Sequence, residues 1–170
     1  FESFVVPLTI IIMTGLFYVQ KYGTGKVGGV FGPIMLIWFL SIGFLGLIKI
    51  IEVPQVLEAM NPYYALEFVL HRPYIAFLSF SVTVLAVTGA EALYADMGHF
   101  GVSPIKRAWL FLVWPCLILN YFGQGALLLQ NPEAIENPFF LLAPKDFSMA
   151  LLILATMATI IASQSVISGA

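Results

Sequence analysis

Five stretches of the chain are long, apolar and almost free of charge, and short polar segments rich in glycine and proline separate them. Each is close to the ~20 residues a helix needs to cross a bilayer core. The first covers about residues 4–19, with Pro7 in its first turn, where a missing N–H does little harm. The second covers about 33–51, with Pro33 at its start. Its Gly43 and Gly46 are small enough for a neighbouring helix to come close. The third covers about 74–96, the fourth about 108–129 and the fifth about 147–170. Pro115 inside the fourth predicts a kink, because its ring clashes with the carbonyl four residues back.

The connections differ in character. The segment from Gln20 to Lys26 is glycine-rich and basic and predicts a tight link. The one from Glu52 to Pro73 is long. Its Leu57, Met60, Tyr63, Tyr64 and Phe68 suggest a short interfacial helix on the membrane surface, with the tyrosines in the aromatic belt. In the connection before the fifth span, Asn131-Pro132, Asn137-Pro138 and Pro144 push the residue before each proline away from helix.

Charge gives the orientation. Lys21 and Lys26 fall in the first connection, and Lys106 and Arg107 in the third. The second and fourth set Lys49, Arg72 and Lys145 against Glu52, Glu58, Glu67, Glu133, Glu136 and Asp146. Basic connections stay on the cytoplasmic side, so the first span enters from outside, and with a cytoplasmic full-length N-terminus an odd number of spans is expected to precede it. The chain starts without Met and ends inside an apolar run, which reads as an internal fragment of a longer membrane protein.

Composition agrees. Of 170 residues, 61% are hydrophobic and 9% charged, with mean hydropathy +0.99. A soluble domain is near half apolar and a quarter charged. The net charge of −2 gives no reason to expect nucleic acid. The single Cys116 lies in an apolar run and reads as a small core hydrophobe.

The chemistry gathers in Thr88-Gly89-Ala90-Glu91-Ala92-Leu93-Tyr94-Ala95-Asp96-Met97-Gly98-His99. Hydropathy puts Glu91 at lipid depth, where a charge at a helix centre costs roughly 2.5–3.5 kcal/mol. Burial disfavours the charged form of a carboxylate, so such a group can take up and release a proton near neutral pH. Thr88, three residues earlier, shares its helix face. A break at Gly89 would free carbonyls from about Leu85 to Thr88 as oxygen ligands for an alkali cation. The bland reading is an ion pair between Glu91 and a cation on another span. Asp96 carries an ion or simply sits in water at the cytoplasmic end. Tyr94 closes the site or anchors at the interface. Asp96 and His99 alone are too few ligands for a resident metal.

Two polar faces complete the candidates. Asn120 and Gln124 lie four apart on the fourth span, as pathway lining or as interhelical hydrogen bonds. Thr156, Thr159 and Ser163 share one face of the fifth span, with Gln164 beside them and the same ambiguity.

The run from Thr88 to Gly101, then Asn120-Tyr121-Phe122-Gly123-Gln124-Gly125-Ala126, Asn137-Pro138-Phe139-Phe140 and Ile160 to Gly169 closely resembles the Kup-type potassium uptake permeases (the HAK/KUP/KT family). Gln20 to Gly25 and Phe31 to Met35 look like the same family. The resemblance implies an all-α polytopic membrane helix bundle, spans four to eight of about twelve, within an inverted-repeat, LeuT-like fold of the amino acid–polyamine–organocation superfamily. It implies potassium import coupled to protons, with Thr88 and Glu91 as the Thr-x-x-Glu pair of the sixth span. No cofactor is called for; potassium and protons are cargo. The expected partners are those ions, membrane lipid and the missing spans, with a homodimer left open. The alternatives are a potassium channel or uniporter, an intramembrane enzyme using Asp96 and His99, and a non-transporting sensor or scaffold.

Overall fold

In a bilayer there is no water to satisfy backbone N–H and C=O groups, so apolar spans close their hydrogen bonds within themselves as helices. The computed structural model describes residues 6–7, 9–11, 14–15, 25–87, 97 and 101–169. All of its regular elements are helical, with no strand among the described residues. Helix α1 is Gly25–Glu52, α2 is Pro62–His71 and α3 is Pro73–Val87. Helix α4 is Val102–Ala108 and runs through a π-turn, Trp109–Val113, into α5, Trp114–Gln130. A short α6, Pro138–Leu141, precedes α7, Ser148–Gly169.

Among the described residues three runs are long and apolar enough to cross a membrane: Phe31–Glu52, Val102–Gln130 and Lys145–Gln164. The α2 and α3 segments pass the same test only as a pair, bent by 120° at their junction. Most of the first expected span lies outside the described residues; those described between 6 and 15 are helical. Helix α1 begins at Gly25, so Pro33 lies inside it and not at its start, a correction to the sequence reading. The polar residues Gly25 and Lys26, expected in a link, belong to this helix too.

Pro115 does not simply break its helix. Its ring cannot pack on an ordinary preceding turn, and it brings no N–H. The turn before it is widened instead, and the Trp114 N–H donates to the Trp109 carbonyl five residues back. A π-turn of this kind inserts one residue while the helix continues.

Each Asn-Pro pair starts a helical turn. Asn61 and Asn131 are extended and accept from the backbone N–H two residues on, at 3.0 and 3.2 Å. These are N-caps with proline in the first turn. The connections hold short helices, Pro54–Met60, Pro132–Glu136 and Lys145–Phe147 among them, rather than open loop. Lys49 pairs with Glu52 at 2.6 Å at the exposed end of α1; such a pair adds little stability.

The core is the crossing of α1 with α5. A Cβ at Gly43 would lie 3.0 Å from Cys116 Sγ. One at Gly46 would run into the carbonyl of Leu119, with Asn120 Cα at 2.8 Å. One at Gly123 would meet Gly46 itself. Helices approach this closely only where side chains are absent, and the gain is dispersion over many backbone atoms. Around the crossing, Ile50, Val56 and Ala126 form one buried cluster, and Ile42, Ala143 and Leu151 another, against Trp38 and Phe139. Trp38 and Phe139 rings are 5.7 Å apart, and Phe139 meets Phe140 edge-on at 5.0 Å.

Candidate functional site

Thr88, Gly89, Glu91, Tyr94 and Asp96, the centre of the sequence-predicted site, lie outside the described residues, as does His99. What the structure places is the scaffold on either side: α3, ending at Val87, and the α4–α5 run that begins after Gly101. Gly101 has φ +83°, a left-handed conformation that favours glycine, just before the first turn of α4. The three serines and threonines of α3 that are described, Ser79, Ser81 and Thr83, donate to carbonyls four residues back at 2.8–2.9 Å. Their polar hydrogens are thereby hidden in an apolar helix.

Asn120 and Gln124 share a face of α5 but not an environment. Asn120 is 4% exposed, at the tight crossing with α1, whereas Gln124 is half-buried. The Asn120 amide oxygen has no hydrogen-bond partner among the described residues. A polar atom held that way costs about 1–3 kcal/mol. Asn120→Leu removes the cost at similar volume. In the full-length protein it is expected to leave thermal stability in detergent unchanged or higher. Lower stability would make Asn120 a hydrogen-bonding partner of a span elsewhere in the protein.

On α7 the periodicity is realised directly. Thr156, Thr159 and Ser163 line a single groove of about 300 Å³, together with Thr9, Phe140 and Ile160. Their hydroxyls donate to the carbonyls of Leu152, Ala155 and Thr159 at 2.8, 2.9 and 2.9 Å. Each hydroxyl has one hydrogen and two lone pairs. Their donor side is committed to α7 itself, so they do not act as donors between helices. The lone pairs remain for water, a donor or a cation. Gln164 is 6% exposed, one residue beyond this row.

Among the described residues no three His, Cys, Asp or Glu side chains come together as a metal site. Sequence reading named the glycines of α1 but missed their neighbour, the Cys116–Gly123 face of α5. The small residues at 116, 123 and 126 were the available signal.

Comparison with known proteins covers the whole length. A family model described as "K+ potassium transporter integral membrane domain" matches residues 1–170. The "Low affinity potassium transport system protein Kup" of Pectobacterium carotovorum subsp. carotovorum (strain PC1) is 60% identical over 168 residues, 99% of this chain and 27% of that protein. The "Probable potassium transport system protein Kup" of Tolumonas auensis is 58% identical over 166 residues, 98% of this chain and 27% of that protein. A "Probable potassium transport system protein Kup 2" of Chromobacterium violaceum is 57% identical over 169 residues, again 99% and 27%. The chain thus spans about a quarter of the length of the curated relatives it matches. No solved structure matches it.

Proposed function

The chain belongs to the potassium transporter integral membrane family, and from that premise we propose that it forms the middle spans of a potassium uptake permease that moves protons with potassium. The observation that carries this reading is the family match along all 170 residues, in relatives named for potassium transport. The protein is a multi-pass cell-membrane protein of a transport family, which disfavours the enzyme reading.

The fold of the whole protein is then an inverted-repeat, LeuT-like bundle, and the third span of this chain is broken at Gly89. The chemistry follows from what potassium needs. A dehydrated alkali cation must exchange its water oxygens for a cluster of protein oxygens. Thr88 and the carbonyls freed at the break supply some of them, and spans outside this chain supply the rest. Glu91 balances the cation when charged and carries the proton when neutral. Discontinuous helices at membrane depth are the usual way a transporter presents such backbone oxygens. Tyr94 and Asp96 flank the site toward the cytoplasm. Asn120, Gln124 and the hydroxyl row of Thr156, Thr159 and Ser163, with Gln164, support the path from the neighbouring spans.

The test uses the purified full-length protein in sealed vesicles with a pH dye inside. An inward proton gradient is expected to drive potassium uptake against its own gradient. Potassium entering only down its gradient, with no change in internal pH, would establish the uniporter reading instead.

A further inference from the structure

The close contact of α1 with α5 holds an oxygen that it does not satisfy. A Cβ on Gly46 would stand 2.8 Å from Asn120 Cα, and one on Gly123 would strike the backbone of Gly46. Asn120 sits in this contact, 4% exposed, and its amide oxygen has no hydrogen-bond partner among the described residues. A leucine would fill the same place with no polar atom. The amide therefore makes the closed crossing less stable than an apolar one, by roughly five- to 150-fold in an equilibrium. Any packing in which water reaches the oxygen escapes that loss. A bias of this size tips a balance between two arrangements of a helix pair.

Two further features let the pair move. Gly43, Gly46 and Gly123 put no side chain into the seam, so no knob has to be withdrawn from a hole when one helix shifts on the other. The π-turn Trp109–Val113 lies on the same continuous helix, just before Pro115. It holds one residue more than an α-turn, and Pro115 brings no N–H to tie it down. That slack allows α5 to shift by about one residue's rise, ~1.5 Å, with α4 held where it is. At the other end of the crossing Ile50, Val56 and Ala126 form a buried cluster, with Ala126 0% exposed. The helices stay joined there, so the movement is an opening of the seam and not a separation.

We propose that the α1–α5 crossing is a two-position joint, closed in the arrangement described and open to water at Asn120 in the other, with the Asn120 amide keeping the closed position from being permanent. This rests on the transport reading and deepens it, since a carrier alternates between arrangements and the seam is one place where it does so.

Cys116 reports on the joint without any substitution, because it faces Gly43 across the seam and is 8% exposed. The full-length protein is placed in sealed vesicles, its potassium uptake is measured, and a small water-soluble methanethiosulfonate is supplied on both sides. Mass spectrometry reads the fraction of Cys116 modified, with potassium and without it. That fraction is expected to change at least about threefold between the two conditions. Asn120→Leu is expected to lower it about fivefold in the more reactive condition.

Cys116 that stays unmodified in both conditions, in vesicles that take up potassium, would overturn the joint and leave the transport reading standing. Equal modification in both conditions would show a seam that is always wet and would overturn it as well. Asn120→Leu that is modified like the parent would overturn the role of the amide. Modification that depends on potassium in vesicles that take up none would support the joint and count against the transport reading.

Discussion

Glu91→Gln in the full-length protein is expected to lower potassium uptake at least about tenfold and to abolish its response to external pH. Glutamine keeps the size and hydrogen bonding of glutamate but cannot carry charge. If the carboxylate balances a bare cation, its loss removes an interaction worth more than the ~1.4 kcal/mol that a tenfold change represents. Folding should not suffer. A charge at a helix centre costs roughly 2.5–3.5 kcal/mol, so the neutral variant should be made at least as well as the parent. Growth of a potassium-uptake-deficient strain at low potassium, with the amount of protein in the membrane measured alongside, separates the two effects. Uptake that stays normal and pH-dependent takes Glu91 out of the mechanism. Uptake lost only because the protein is missing from the membrane would instead favour a Glu91 that locks the bundle through an ion pair.

Gly46→Ala is expected to be the most damaging small substitution among the described glycines. Its new methyl would strike the Leu119 carbonyl and sit 2.8 Å from Asn120 Cα. Those are backbone atoms of a helix and cannot rotate away. Overpacking of this kind costs about 1–3 kcal/mol where side chains can give, and the rigid case belongs at or above the top of that range. Gly43→Ala is the control. Its Cβ meets Cys116 at 3.0 Å from Sγ and 3.2 Å from Cα, so part of the clash lies on a side chain. It should unfold at a temperature between the parent and Gly46→Ala, and Cys116→Ala in the same chain should recover part of the loss. Thermal unfolding of the full-length variants in detergent checks the order. Equal stability of Gly46→Ala and the parent would refute the close crossing.

What could be read beforehand followed the range of the forces involved. The residue before proline in Asn131-Pro132 leaves the helix as read, because proline acts on its own neighbour, whereas the side-chain caps made by Asn61 and Asn131 were not foreseen. Thr156, Thr159 and Ser163 fell into one groove because helical period alone fixes a shared face. Pro33 misled, since a proline early in an apolar run looks like a start while α1 already extends eight residues before it. Pro115 gave the place of a distortion but not its form, a π-turn one residue wider than the normal turn. Asn120 and Gln124 looked equivalent by spacing, and only packing against α1 distinguished them.

The amino-acid order by itself determined a helical membrane protein and a family membership carried by long motifs. These depend on local hydropathy, local backbone restriction and residue identity, all of which are written along one dimension. The tertiary structure alone decided that Gly43 and Gly46 meet Cys116 and Gly123, and that the Asn120 oxygen is buried. The physical reason is that lipid tails are as apolar as leucine. No contrast in hydropathy separates a face that meets lipid from one that meets a helix, so close packing of shapes makes that choice.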